Sequence, residues 1–293
     1  HKYQPAFFAM SHFIDSPACP KFPLDCSLWL GQCEAAIKAD FNFWSCQSTM
    51  TEFLAEMRKT YNDTIVQSVT DKSMPWDDGY SISEITSAID MKNVRFTSER
   101  FSQLTEGKCV IFIPNRVGGR GRSSDYTNCG KFLFEILPQL RKMRDDFVVV
   151  TGNPSQKFSN AELESECGVL SLVPDALRRD EYKYVAAHSH IALGRYGQDR
   201  YGGCAAGECV ELGCMPLWLN VYEYASLAPG YPYLCAPDFS GMAQKLFHMI
   251  DNLLDVKYHW QSVLQDTVRA RCSYEQTTPR ILEIIRATCS KHK

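Results

Sequence analysis

The sequence predicts an α/β protein built on a doubly wound, Rossmann-type parallel sheet. Two observations carry this. Runs such as Cys109-Val110-Ile111-Phe112-Ile113 and Phe147-Val148-Val149-Val150 are continuously apolar, as strands covered on both faces must be. From residue 108 onward such runs alternate with helical apolar spacing at least five times, which is the pattern of parallel strands joined by crossover helices. A third observation agrees: 45% apolar and 22% charged residues over 293 positions supply enough material for a large core.

The elements follow in order. Pro5, Pro17, Pro20 and Pro23 punctuate a loop-rich opening. A helix over 28–38, a strand over 41–44 and a helix over 48–61 form a helix-strand-helix fragment of an α/β layer. Residues 68–81 are mostly polar, with turns at Pro75 and Asp77-Asp78-Gly79. A domain boundary is expected near 90–106, dividing the chain into 1–100 and 101–293. Beyond it come a strand over 109–113, a helix over 125–142 and a strand over 147–150. A short helix over 160–167, a strand over 169–173, a helix over 179–187 and a strand over 190–193 continue the alternation. A helix over 204–212, a strand over 215–218 and a helix over 240–254 complete it, and further helices close the chain to about 289.

Composition narrows the classes of function. A net charge of −3 excludes neither nucleic acid nor carbohydrate as a partner, since a local basic groove can sit on a near-neutral protein. The 13 cysteines are odd in number and contain no C-x-x-C pair, so neither a zinc framework nor a disulfide scaffold is indicated. Several lie in apolar runs, as at Cys109 and Cys235, and read as buried thiols of a reducing compartment. The expected location is therefore the cytoplasm, the host's if the protein is viral. No apolar run has the length of a membrane span, and no membrane partner is expected. The chain opens at His1 within what reads as the interior of a domain, so an N-terminal portion is expected to precede it.

Chemistry is expected at the carboxyl ends of the strands. The first long strand runs into Pro114-Asn115-Arg116-Val117-Gly118-Gly119-Arg120-Gly121-Arg122. Glycines let backbone N–H groups approach a ligand, and guanidinium groups pair with phosphate oxygens, so a diphosphate suits this loop. A solvated basic loop is the plainer alternative. The next strand ends in Thr151-Gly152-Asn153-Pro154, a candidate by its place on the same sheet edge. Gly202-Gly203 then open a helix of small residues, Cys204-Ala205-Ala206-Gly207-Glu208, whose first amides suit a further phosphate oxygen. Glu208 is placed to accept hydrogen bonds from two sugar hydroxyls, whereas Glu211 reads as a solvent-facing residue. His188 and His190 form a His-x-His pair with no third ligand in view, which points to donor-side contacts or packing rather than metal.

Residues 108–255 resemble the C-terminal domain of GT-B glycosyltransferases. In that family an Arg at a strand end and a following Lys or Arg hold the donor diphosphate. Arg116 matches the first position, and Arg122 or Arg120 the second. A Glu-x4-Gly helix before a Pro-containing strand matches Glu208 to Gly213, and implies that Glu208 contacts the donor ribose. Many relatives carry a further Glu eight residues earlier, where this chain has Arg200. The resemblance implies a GT-B protein of two Rossmann-like domains, the N-terminal one incomplete in this chain. It implies a hexosyltransferase of retaining stereochemistry that uses a nucleotide-sugar donor, a UDP-sugar first among them, and requires no cofactor.

Arg200, Glu208, Gly213, Pro216 and Trp218 further resemble the phage glucosyltransferases that modify hydroxymethylpyrimidines in DNA. Gly213-Cys214-Met215-Pro216-Leu217 with Tyr222-Glu223 resembles enzymes that mannosylate queuosine in tRNA. Both resemblances imply a nucleobase hydroxyl as acceptor, and double-stranded DNA with hydroxymethylated bases as a partner. Arg195, Tyr196, Tyr201 and Trp218 are the aromatic and basic residues available for such a surface. Ser11-His12-Phe13-Ile14-Asp15 resembles the active-site loop of the family's first domain, which makes His12 and Asp15 the candidates for orienting the acceptor or moving its proton. A structural His in a Pro-rich loop is the alternative.

Overall fold

The structure of the protein, a computed structural model, describes residues 6–11, 26–44, 47–76, 79–116, 129, 132–153, 164–165, 167–194, 204–220, 222–236 and 238–291. The chain forms two compact units. One combines the chain up to Gly79 with the segment from Ala270 onward; the other runs from Tyr80 to Arg269. This division differs from the boundary near 100 read from the sequence. The segment 80–100 packs with the second unit and the last helix with the first, and neither return of the chain has a compositional mark.

The first unit holds a three-stranded parallel sheet, β1 (Phe8–Ser11), β2 (Phe41–Trp44) and β3 (Ser73–Pro75), in the order β1-β2-β3. Its two faces follow the strand period of two. Trp44 packs with Trp29, Cys33, Phe53, Met57, Val66 and Val69 from the helices Cys26–Lys38, Gln47–Met57 and Asp63–Asp71. Phe43 faces the other way, onto Met74 and Ile281 of the closing helix Tyr274–Ser290. Within the polar stretch 68–81, the residues up to Pro75 complete the helix Asp63–Asp71 and form β3, while Asp77 and Asp78 of the expected turn lie outside the described residues. Asn62 starts that helix by accepting from Ile65 N at 3.0 Å, and Val66 and Val69 fix its buried face.

The second unit holds a five-stranded parallel sheet: β4 (Cys109–Arg116), β5 (Phe147–Asn153), β6 (Ile191–Leu193), β7 (Met215–Leu219) and β8 (Leu234–Cys235), ordered β5-β4-β6-β7-β8. The strand expected over 169–173 is reduced to one bridge, Leu170 to Val150, beside β5. Counted as the third position, it gives the order 3-2-1-4-5-6, the doubly wound Rossmann order. β4 continues three residues past its apolar run. Its register on β5 shifts between Ile113 and Arg116, across Pro114, which has no N–H to give the ladder. The helix read over 125–142 is described from Phe132, where a π-turn (Phe132–Ile136) precedes the helix Leu137–Met143. Pro138 cannot donate to the preceding turn, and a wider turn accommodates that missing bond. The helices Arg179–Ala187 and Cys204–Glu211 lie within one residue of expectation.

Cys129, Cys209, Cys214 and Cys235 form no disulfide and are buried. No helix among the described residues is long and apolar enough to cross a membrane.

Candidate functional site

In the 3-2-1-4-5-6 order, the direction of winding reverses between β4 and β6. These two strands are neighbours, with Ile111 opposite Ile191 and Phe112 opposite Ala192. Where winding reverses, the connections leave to opposite faces and a crevice opens beyond the carboxyl ends. The loops that the sequence marks for donor binding leave from these strands, after Arg116 and after Gly194. Their ends are tied: Cys129, which closes the first loop, donates from Sγ to Gly194 O at 3.4 Å.

Two of the expected residues are brought directly together. Arg116 and Asn153 are register partners at the ends of β4 and β5. Gly152, one residue earlier, has a packing reason as well as a positional one. A Cβ there would lie 3.0 Å from the Phe112 ring, and its carbonyl accepts from Leu177 N at 2.9 Å. Arg120, Arg122, Arg200, Gly202 and Gly203 lie outside the described residues, as do His12, Asp15, Arg195, Tyr196 and Tyr201. Trp218 is buried, packed on Tyr224 with ring centroids 4.8 Å apart, so it offers no outward surface for a base. Gly194 makes room for that pair, since a Cβ there would sit 2.8 Å from Trp218.

The helix Cys204–Glu211 follows β6 and is set by three contacts. Gly207 lets the Tyr80 ring approach; a Cβ would meet it at 2.6 Å. Gly213, at φ 92°, ends the helix: Cys214 N donates to Cys209 O at 2.9 Å and Gly213 N to Val210 O at 3.0 Å. This paired closure needs a left-handed residue, which explains the Gly of the Glu-x4-Gly spacing. Glu211, expected in solvent, is buried instead. It accepts from Tyr80 Oη at 3.1 Å and from Arg269 Nε and Nη2 at 2.7 and 2.6 Å. Arg269 comes from the long helix Leu253–Cys272, remote in sequence from the segment that carries Glu211.

Glu208 is also buried, 6% exposed. Its Oε1 accepts from Arg179 Nη2 at 2.7 Å, while the Tyr182 hydroxyl donates to Ala205 O at 3.4 Å and meets Cys209 Sγ at 3.5 Å. Arg179 is held in turn by Glu84, whose Oε1 and Oε2 accept from Nε at 2.9 and 3.1 Å and which also meets Nη2. Hydrogen bonding to Arg179 lowers the Glu84 pKa, and burial raises that of Tyr182 well above its ordinary value. The sequence reading missed Arg179, though it carries a signal. It opens the helix Arg179–Ala187, where a cation opposes the helix dipole and needs a carboxylate to hold it.

The His-x-His pair is engaged in the fold. His188 Nδ1 meets Tyr184 O at 2.8 Å, and His190 Nδ1 accepts from Val110 N at 2.9 Å. Among the described residues no group of His, Cys, Asp and Glu has the arrangement of a metal site.

Neither protein-family profiles nor curated protein sequences match this chain. Solved structures do. The Anabaena protein HepE in complex with UDP-glucose is 13% identical, with 98% of this chain and 71% of that one covered at a TM-score of 0.64. The UDP-forming α,α-trehalose-phosphate synthase of Burkholderia vietnamiensis is 13% identical, with 97% and 67% covered at a TM-score of 0.72. The Burkholderia xenovorans synthase in complex with glucose-6-phosphate is 12% identical, with 88% and 64% covered at 0.67. The second unit's strand order and these likenesses together establish that the chain has the GT-B fold.

Proposed function

We propose that the protein is a glycosyltransferase that moves a sugar from a nucleotide-sugar donor, a UDP-sugar, to an acceptor hydroxyl. The observation that carries this is the convergence at the winding reversal. Arg116 and Asn153 pair at the ends of β4 and β5, and the Arg- and Gly-bearing loops after Arg116 and Gly194 leave adjacent strands. The GT-B likeness to proteins solved with UDP-glucose and UDP supports the same donor.

In this reading Arg116, with Arg120 or Arg122, pairs with the diphosphate, and the amides after Gly202 and Gly203 take a further phosphate oxygen. Fixed positive groups stabilise the charge that develops on the departing diphosphate, and they need no reorganisation as it forms. Glu208 accepts from the ribose hydroxyls. Gly152 and Asn153 line the sheet edge, and Arg200 stands near the donor sugar. His12 and Asp15 orient the acceptor and assist its proton transfer. No cofactor enters the scheme, and retention of the anomeric configuration is carried over from the family resemblance.

The acceptor proposed first is a hydroxymethylated base in double-stranded DNA, on the resemblance around Glu208 to Trp218. A small sugar is the second reading, favoured by the likeness to a synthase solved with glucose-6-phosphate. The test is transfer from labelled nucleotide sugars to hydroxymethylated duplex DNA, unmodified DNA and simple sugars, with and without chelator. Product on hydroxymethylated DNA alone, undiminished by chelator, is the expected result. Product on sugars alone overturns the DNA acceptor and keeps the transferase. Donor binding without any transfer overturns the enzyme.

A further inference from the structure

We infer that Arg179 is the positioning residue for Glu208: it fixes the buried carboxylate in place so that its remaining acceptor capacity reads the ribose of the donor. The inference rests on the donor-site reading above and adds to it a residue that neither the motif nor the resemblance contains.

A carboxylate that accepts from two hydroxyls has to be charged and held in one rotamer. Burial alone works against both, because desolvation favours the protonated acid. Glu208, with a side chain 8% exposed, needs a cation, and Arg179 supplies it at 2.7 Å. Arg179 is fixed from its other edge by Glu84, and its guanidinium lies 5.5 Å from the centre of the Tyr182 ring, where cation–π attraction adds to the hold. Glu84 is anchored too: its carbonyl accepts from Lys183 Nζ at 3.1 Å, and Ser81 caps its short helix. Two carboxylates thus share one guanidinium. The row Glu84–Arg179–Glu208 keeps a net negative charge, and acceptor capacity remains on Glu208. The other titratable groups around Glu208 are Tyr182, Cys209 and, through Arg179, Lys183. Burial pushes the Tyr182 and Cys209 pKa values well up, so neither competes as an anion.

The test is calorimetric binding of UDP and of 2′-deoxy-UDP to the wild type and to Glu208→Gln, Arg179→Ala, Arg179→Lys and Glu84→Gln. The substituted groups at 179 and 84 are 43% and 45% exposed, so these variants fold. Wild type is expected to prefer UDP by about tenfold, the worth of one hydrogen bond to a charged group. Arg179→Ala should bring that preference close to one, as Glu208→Gln does, with Arg179→Lys in between and Glu84→Gln closer to wild type. If Glu208→Gln loses the preference but Arg179→Ala keeps it, or binds UDP more tightly, the inference about Arg179 fails and the ribose reading stands. If wild type shows no preference, the ribose reading fails and the inference with it.

Discussion

Two buried glutamates in the second unit are each held by an arginine, and they are held differently. Glu181 is fully enclosed and accepts four hydrogen bonds: from Arg95 N, Nε and Nη2 at 2.8, 2.7 and 2.8 Å, and from Arg178 N at 2.8 Å. Arg95 in turn reaches Asp175 and Ala176 O. Glu208 accepts from Arg179, and that arginine is 43% exposed. A saturated carboxylate can only hold the fold. One with acceptor capacity left over, at the reversal of winding, can also bind. The first glutamate ties the segment before β4 to the helix after Leu170; the second stands on the helix Cys204–Glu211 that follows β6.

The contrast can be broken by removing each arginine. Arg95→Ala leaves a buried charge unpaired and should cost about 3 kcal/mol in urea unfolding. Arg179→Ala should cost about 1 kcal/mol or less, because water reaches its site. Equal losses would mean that both pairs are structural. On the binding side, Arg116→Ala should weaken UDP affinity by about 30-fold with unfolding unchanged, as expected for a lost guanidinium–phosphate pair. A normal affinity would remove Arg116 from the donor site.

Gly207→Ala sharpens the comparison from the backbone. Alanine would favour the helix in isolation, but its Cβ meets the Tyr80 ring at 2.6 Å. The expected net loss is about 1–2 kcal/mol, with UDP affinity reduced because Glu208 moves with the helix. A gain in stability would show that Tyr80 yields without cost.

The smallest effects come from pH. Arg95 and two backbone N–H groups hold the Glu181 carboxyl down to about 2, against an ordinary value of 4.5. Its contribution is fully present above 4.5 and is lost as pH falls from there through 2. His190 is the opposite type of group: burial lowers its pKa from 6.5, so it folds neutral and accepts from Val110 N. Its contribution is present above pH 6.5 and is lost as pH falls below it. Unfolding of wild type and His190→Gln measured between pH 7 and 5 should therefore converge as the pH drops; parallel curves would mean that His190 takes up its proton equally in the folded and unfolded chain.

What was legible in the sequence was local. Continuous runs such as 109–113 and 147–150 cannot be covered on both sides by anything but a parallel sheet's helices, and Gly213 can end a helix where other residues are strained. Polar surface hid the helix Asp63–Asp71, whose buried face is only Val66 and Val69. Pro114 hid the end of β4.

The sequence alone therefore determined the alternation of strand and helix, the doubly wound class, and which residues stand at the strand ends. Tertiary structure decided which of them meet. Arg116 faces Asn153 by sheet register, Glu211 is buried by an arginine 58 residues on, and Glu208 is held by Arg179, 29 residues before it. The physical reason is that spacing along a chain fixes hydrogen bonding and burial only within an element. The partner of a buried charge is chosen by whichever distant segment packs there, and no local pattern records that choice.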